Sequence, residues 1–112
     1  MSRDDACILD MLVAARRIAE AVENITFDEF RADWHVNSAV QHQLLILGEA
    51  VKRLSREFRE NHAQIPWQAI AGHRDILIHQ YNAVDVGEVW LIARDRIPEL
   101  VQFLETVAPQ EE

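Results

Sequence analysis

The short, largely apolar segment GHRDILIHQY, at residues 72–81, contains several side chains that can do chemistry, among them an arginine, an aspartate, a histidine and a tyrosine. Arg74 and Asp75 precede three consecutive aliphatic residues. His79 and Tyr81 follow them. An arginine presents a planar, permanently charged fork to an anion, and a histidine can gain or lose a proton near neutral pH. Together these residue types are suited to holding an anion and moving a proton beside it.

A helical conformation would place these side chains on neighbouring faces. At about 100° per residue, Arg74 and Tyr81 are nearly in line, whereas Asp75 and His79 are one turn apart. Arg74 shares its arc with apolar residues: Trp67, Ile70, Leu77 and Ile78. The helix is therefore apolar on more than one side, which predicts burial against its own domain and against a second surface. A second copy of the chain is the simplest candidate, because two-fold homodimers are the commonest oligomers.

Each of these residues also has a purely structural interpretation. Arg74 could pair with Asp75 or Glu49, or its stem could reach solvent. His79 could be held by Asp75 four residues away, and Tyr81 could be a core residue whose hydroxyl lies at the surface. A plain structural bundle would leave the combination of Arg74, His79 and Tyr81 unexplained. The combination therefore indicates a functional site more strongly than any single residue does.

Two long helices are predicted before this segment. The first runs from about Asp4 to Asn24, and residues 25–36 form a connection with some helical turns. Ser38 and Gln41 fit a capping box, which predicts the start of the second helix there. The apolar positions of both helices repeat at steps of four and three. The first helix has Ile8, Leu12, Ala15, Ala19 and Val22, and the second has Val40, Leu44, Leu47, Val51, Leu54 and Phe58.

Two further helices are predicted to carry and follow the segment. Pro66 fits the start of the third helix, which would run from Trp67 to about Tyr81, because proline lacks only an N–H that is unpaired there anyway. Asp85 with Glu88 predicts a fourth helix beginning near Val86. Its apolar stripe comprises Trp90, Ala93, Ile97, Leu100, Leu104 and Val107. Pro98 lies within that stripe and is expected to kink the helix.

Length and composition limit the number of domains and the possible fold class. The 112 residues, 49% of them hydrophobic, suit one domain with its own core, which we place at residues 1–112 with a frayed tail at about 108–112. With only three Gly and three Pro, and no runs typical of strands, the chain is predicted to be all-α. Four helices with short connections favour an up-and-down four-helix bundle.

The net charge and the cysteine content limit the classes of ligand and the cellular compartment that we expect. The net charge of −8 argues against broad, sequence-independent binding of nucleic acid, so we expect no DNA ligand. Cys7 is the only cysteine, and His35 and His42 form no zinc pattern, so no metal or cofactor is expected. No signal peptide or transmembrane run is recognisable. A cytoplasmic protein without membrane association is the expectation.

The segment contains an R-x-x-x-x-H-x-Y motif, and this motif resembles that of the HepT-like branch of the HEPN superfamily, the ribonuclease toxins of toxin–antitoxin pairs. The surrounding sequence is similar as well. It includes IPWQAIAGHRDILIHQY, VDVGEVW, the interrupted DRIPEL and, earlier in the chain, LLILGEAVKRLS. The similarity covers most of residues 36–104, whereas the first helix matches only in type.

The resemblance implies a homodimeric helical bundle of the HEPN type, in which two motif helices face a shared cleft. It implies that Arg74 and His79 cleave RNA without a metal. It also implies a partner, an MntA-type nucleotidyltransferase antitoxin, which can add AMP to Tyr81 and silence the toxin. Many relatives have Asn where this chain has Asp75. That carboxylate could hold Arg74 or His79, raise the proton affinity of His79, or repel a phosphate.

The residues suit such chemistry. Metal-free cleavage removes a proton from the 2′-hydroxyl, stabilises a charged phosphorane and protonates the leaving oxygen, giving a cyclic phosphate and a 5′-hydroxyl. His79 is the natural general acid and base, and Arg74 the natural phosphate clamp. One chain supplies one motif histidine, whereas a dimer supplies two. An alternative is a non-catalytic helical module that docks a nucleotidyltransferase and serves as its substrate or nucleotide-binding subunit.

Overall fold

The structure is a computed structural model that describes residues 2–72 and 85–109, and all regular elements within these residues are helical. This confirms the all-α prediction for the described part of the chain. A π-helical segment, Ile92–Arg96, joins the last two helices. The helices are α1 (Arg3–Val22), α2 (Phe27–Ala32), α3 (Trp34–Arg53), α4 (Arg56–Asn61), α5 (described over 67–72), α6 (Val86–Leu91) and α7 (Ile97–Val107).

Helix α1 begins at the predicted place and buries the predicted stripe. Its first turn is held by a capping box, in which the Ser2 hydroxyl accepts from the Asp5 N–H at 3.0 Å and the Asp5 carboxylate accepts from the Ser2 N–H at 3.4 Å. The stripe faces α3 and α7. Its buried members are Cys7, Ile8, Met11, Leu12, Ala14, Ala15, Ile18 and Val22.

The predicted start of the second long helix at Ser38 is wrong. Helix α3 already begins at Trp34, because the Asp33 carboxylate accepts hydrogen bonds from the N–H groups of His35 and Val36 at 3.0 and 3.3 Å. The buried Asn37 amide then donates to two carbonyls of the preceding turn, those of Phe30 and Asp33. An earlier aspartate cap thus takes precedence over the Ser38–Gln41 pattern.

The second long helix also ends earlier in the chain than predicted. It ends at Arg53, Leu54 is extended with φ −64° and ψ 144°, and Ser55 caps the separate helix α4. The predicted apolar seam is nevertheless inside, since Val40, Leu44, Leu47, Val51 and Leu54 are buried and Phe58 packs against them. At the break, Ser55 donates two hydrogen bonds to the carboxylate of Asp4 in α1, far away in sequence.

The later helix starts follow the local signals. Residues 67–72 are helical after Pro66, and α6 begins at Val86 after Asp85, as predicted. The interruption near Pro98 is also present, in the form of the wide π turn before α7, whose first turn holds Pro98. A proline lacks its N–H and crowds the carbonyl four residues earlier, and the wider turn relieves both problems.

One core unites α1, α3, α7 and the shorter helices around them. The radius of gyration, 13.9 Å, is close to the roughly 13 Å expected for a globular chain of this length. Within residues 2–72 and 85–109, no helix is both long and apolar enough to cross a bilayer.

Candidate functional site

The predicted site residues Arg74, Asp75, His79 and Tyr81, with the neighbouring His73, all lie at positions 73–84, outside the described residues. Their roles therefore stay predictions. The structure does describe the residues that directly precede and follow this segment. We call these two stretches the upstream and the downstream flank of the motif segment.

The upstream flank is held by an aromatic cluster that we call the upstream anchor: Phe58, His62, Trp67 and Phe103. The Trp67 ring is only 6% exposed, and its indole N–H donates to the His62 carbonyl at 2.9 Å. Phe58 and Phe103 each lie 6.0 Å from that ring, centroid to centroid. A buried indole with a satisfied N–H fixes both the position and the rotation of the helix that starts there.

The first turns of α5 also bear out part of the predicted burial. Ile70 donates its N–H to the Pro66 carbonyl at 3.1 Å, so the helical turn forms directly after the proline. Ile70 and Ala71 pack against the core. Among the described residues, none lies within 4 Å of a side-chain carbon built on Gly72.

The downstream flank is held by a second cluster, the downstream anchor: Asp85, Trp90, Phe27 and Phe30. The Asp85 carboxylate accepts from the N–H groups of Gly87 and Glu88, at 2.9 and 3.3 Å, and so starts α6. The half-buried Trp90 ring packs against Phe27 and Phe30 at 5.9 and 5.2 Å. Its position fixes α6 against α2.

An arginine of the π-helical segment strengthens this region. The Arg94 guanidinium lies 5.3 Å from the centre of the Trp90 ring, a cation–π distance. One of its N–H groups donates to the Val22 carbonyl at 3.0 Å, at the C-terminal end of α1. A cation there satisfies a free carbonyl and opposes the negative end of the helix dipole.

A groove of about 730 Å³ lies between the two flanks. Its floor is apolar and includes Ile65, Ile70, Ile92 and Leu100. The charged residues on its rim are Glu88, Asp95, Arg96 and Glu99. Three carboxylates against one guanidinium make this described surface unfavourable for a phosphate.

Sequence reasoning located the motif and missed the contacts that hold its flanks. The Asp85 cap had a local signal and was predicted. The pairing of Trp67 with Phe103 and of Arg94 with Val22 joins residues far apart in sequence, and no local pattern indicates it. Among the described residues, no group of three or more His, Cys, Asp or Glu side chains is placed to hold a metal ion.

A family model for proteins described as Ribonuclease HepT-like matches residues 11–107 of this sequence. The chain belongs to the HepT-like ribonuclease family. The match begins inside α1 and ends at the last residue of α7, so HepT-like similarity extends further than residues 36–104.

Several relatives carry names consistent with this family. A Caldanaerobacter subterraneus subsp. tengcongensis protein, named as a candidate RNase, is 40% identical over 94 residues, covering 84% of each chain. A Thermococcus cleftensis protein named "Probable ribonuclease HepT" is 38% identical over 91 residues, covering 81% of this chain and 83% of its own. A Methanocaldococcus jannaschii protein, also named as a candidate RNase, is 33% identical over 109 residues, covering 96% of this chain and all of its own. No solved structure matches the chain significantly.

Proposed function

We propose that this chain is a metal-independent endoribonuclease and the toxin of a toxin–antitoxin pair. The observation that carries the proposal is the R-x-x-x-x-H-x-Y motif in a chain of the HepT-like ribonuclease family. The two anchors support it, because they hold both ends of the segment that contains the motif.

In the proposed reaction, His79 takes the proton of an RNA 2′-hydroxyl and Arg74 holds the phosphate. The 2′-oxygen attacks the phosphorus, and the bond to the 5′-oxygen breaks as that oxygen receives a proton. The products are a 2′,3′-cyclic phosphate and a 5′-hydroxyl. A single motif histidine cannot easily serve as base and acid in one turnover, so we propose a homodimeric HEPN-type bundle with two motifs at one cleft.

We further propose that an MntA-type nucleotidyltransferase silences the toxin by adding AMP to Tyr81. On a continuous helix, Tyr81 would lie about 10 Å beyond Arg74 and on nearly the same face. The added phosphate would then take the place of the substrate phosphate. Tyr81→Phe should stay toxic when the antitoxin is coexpressed, whereas silencing of this variant would contradict the modification site.

Growth after expression of the chain alone tests the activity in cells. Wild type is expected to halt growth and His79→Ala to relieve the arrest, because general acid and base catalysis is lost. His42→Ala is the matched control, since His42 is an exposed histidine on α3. Arrest by the His79 variant as strong as that by wild type would contradict the proposed role.

The second candidate is a non-catalytic module that docks a nucleotidyltransferase. Asp75 and the acidic rim of the groove favour it, because both oppose the approach of an RNA phosphate. Such a module should be harmless in wild-type and His79→Ala form alike. The two candidates therefore separate in the same growth experiment.

A further inference from the structure

The N-terminal end of α1 is tied to the break between α3 and α4. The two carboxylate oxygens of Asp4 accept hydrogen bonds from one residue, Ser55, 51 positions later in the chain. The backbone N–H of Ser55 lies 2.8 Å from one oxygen, and its hydroxyl lies 2.6 Å from the other. We call this pair of hydrogen bonds the Asp4–Ser55 clasp.

Ser55 is also the residue that starts α4. Its hydroxyl donates to Asp4 and accepts from the N–H of Phe58 at 3.1 Å, which caps the helix. Just before it, Leu54 is extended and 3% exposed, so the chain turns at a fixed, buried point. Both donor groups of the capping residue thus bind Asp4 at the point where the chain turns from α3 into α4.

Helix α4 leads directly to the upstream anchor. The Phe58 ring lies 4.5 Å from the His62 ring and 6.0 Å from the Trp67 ring. The His62 carbonyl in turn receives the Trp67 indole N–H at 2.9 Å. A continuous set of contacts thus runs from Asp4 to the first turn of α5, the helix that is predicted to continue to Arg74.

A second link, between α1 and the end of α3, provides a comparison. Asp10 of α1 pairs with Arg53 of α3 at 3.3 Å, but both side chains are more than half exposed, at 60% and 52%. Exposed pairs of this kind contribute little to stability. Asp4 instead binds a backbone N–H and a hydroxyl, and these hydrogen bonds from Ser55 hold the pKa of its carboxyl below the ordinary value.

We propose that Asp4 and Ser55 are positioning residues: the clasp orients α4, and through the upstream anchor it sets the first turns of α5, the helix that is predicted to carry Arg74 and His79. The inference rests on the proposed ribonuclease function for its catalytic consequence. Its geometric consequence, a fixed α4 and α5, is independent of that function.

Hydrogen exchange and RNA cleavage kinetics on the full chain test the clasp together. Asp4→Ala removes both hydrogen bonds of the clasp and leaves the Ser55 cap of α4 in place. Ser55→Ala removes the hydroxyl bond and the cap, and keeps the bond from the backbone N–H. In both variants, amide exchange should accelerate about tenfold in α4 and at residues 70–72, the factor expected for losing a hydrogen bond to a charged group. Exchange in the buried turns of α1 and α3 should stay as in wild type.

The same variants should lose on the order of tenfold in kcat with little change in KM, because misplaced catalytic groups slow the chemical step. Ser55→Thr, which keeps the hydroxyl, should restore both exchange and kcat.

Two controls isolate positioning from stability. Asp10→Ala removes the exposed link on the same helix, and Ile18→Val weakens the core away from the clasp; neither should produce the local exchange pattern.

Faster exchange spread through α1 and α3, as in Ile18→Val, would reduce the clasp to a general stabilising contact and overturn the proposal. Unchanged kcat in Asp4→Ala, with an active wild type, would overturn its catalytic part. If purified wild type cleaves no RNA, the proposed function fails, and the exchange pattern alone then decides the geometric part.

Discussion

The two anchors hold the ends of the motif segment in different ways. Upstream, Trp67 is almost fully buried and its indole N–H is bonded to a carbonyl, so packing and hydrogen bonding fix the same ring. Downstream, these tasks are divided: Asp85 fixes where α6 begins, and the half-buried Trp90 fixes how α6 packs. The difference indicates that the upstream anchor holds its flank more firmly than the downstream anchor holds its own.

Truncation of Trp67 is expected to have the largest effect. Trp67→Ala should lower the free energy of unfolding by about 3–5 kcal/mol, since it empties a buried site between Phe58 and Phe103. Urea unfolding followed by circular dichroism measures the change. Trp67→Phe, which retains an aromatic ring and loses the indole N–H, is the matched variant and should cost clearly less. Equal losses in the two variants would show that the hydrogen bond, and not the packing, dominates.

Truncation of Trp90 sharpens the comparison. Trp90→Ala should cost about 2 kcal/mol, because the ring is only half-buried while it still contacts Phe27, Phe30 and Arg94. The same unfolding assay applies. A loss as large as that of Trp67→Ala would break the proposed ranking of the anchors.

Removal of the helix cap downstream is expected to have a smaller effect. Asp85→Ala should cost about 1 kcal/mol, since two N–H groups of α6 lose their acceptor. Asp85→Asn, which keeps an acceptor oxygen, should cost less. Exposed Asp28 lies in the first turn of α2 and is not its N-cap, so Asp28→Ala is a control for charge removal alone. A cost no greater than that of the control would show that the cap contributes nothing.

The pH dependence of the clasp is expected to be the smallest effect. Because the pKa of Asp4 is lower in the folded chain than its ordinary value, its ionised form contributes stability above about pH 3.9. That contribution is lost as the pH falls through the lower, folded pKa. Wild type should therefore destabilise more steeply than Asp4→Asn below about pH 4, and parallel curves from acid titration of stability would contradict this.

Much of the fold could be predicted from local patterns, because apolar spacing determines which face of each long helix is buried. The stripe of α1 and the seam of α3 follow this rule. The helix starts at Pro66 and Asp85 follow a second local rule, the preference of these residue types for the first positions of a helix. The predicted helix start at Ser38 was wrong because Asp33 caps the helix earlier in the chain. The break at Ser55 was not predicted, because the apolar seam continues across it and the contact of Ser55 with Asp4 is seen only in the structure.

The site divides in the same way. The motif could be recognised from residue types and spacing alone, because Arg74, His79 and Tyr81 belong to one short segment. The anchors could not, because Trp67 meets Phe103 and Trp90 meets Phe27 only through the tertiary fold. The chemistry is thus a prediction from the sequence, whereas the contacts that hold the flanks are seen only in the structure.

Cleavage of total RNA by the purified protein in excess EDTA tests the central claim most directly. Wild type should release fragments that end in 2′,3′-cyclic phosphates and begin with 5′-hydroxyls. His79→Ala should release none, and His42→Ala should behave as wild type. Intact RNA with folded wild type, or equal cleavage by His79→Ala, would contradict a metal-independent ribonuclease that works through His79.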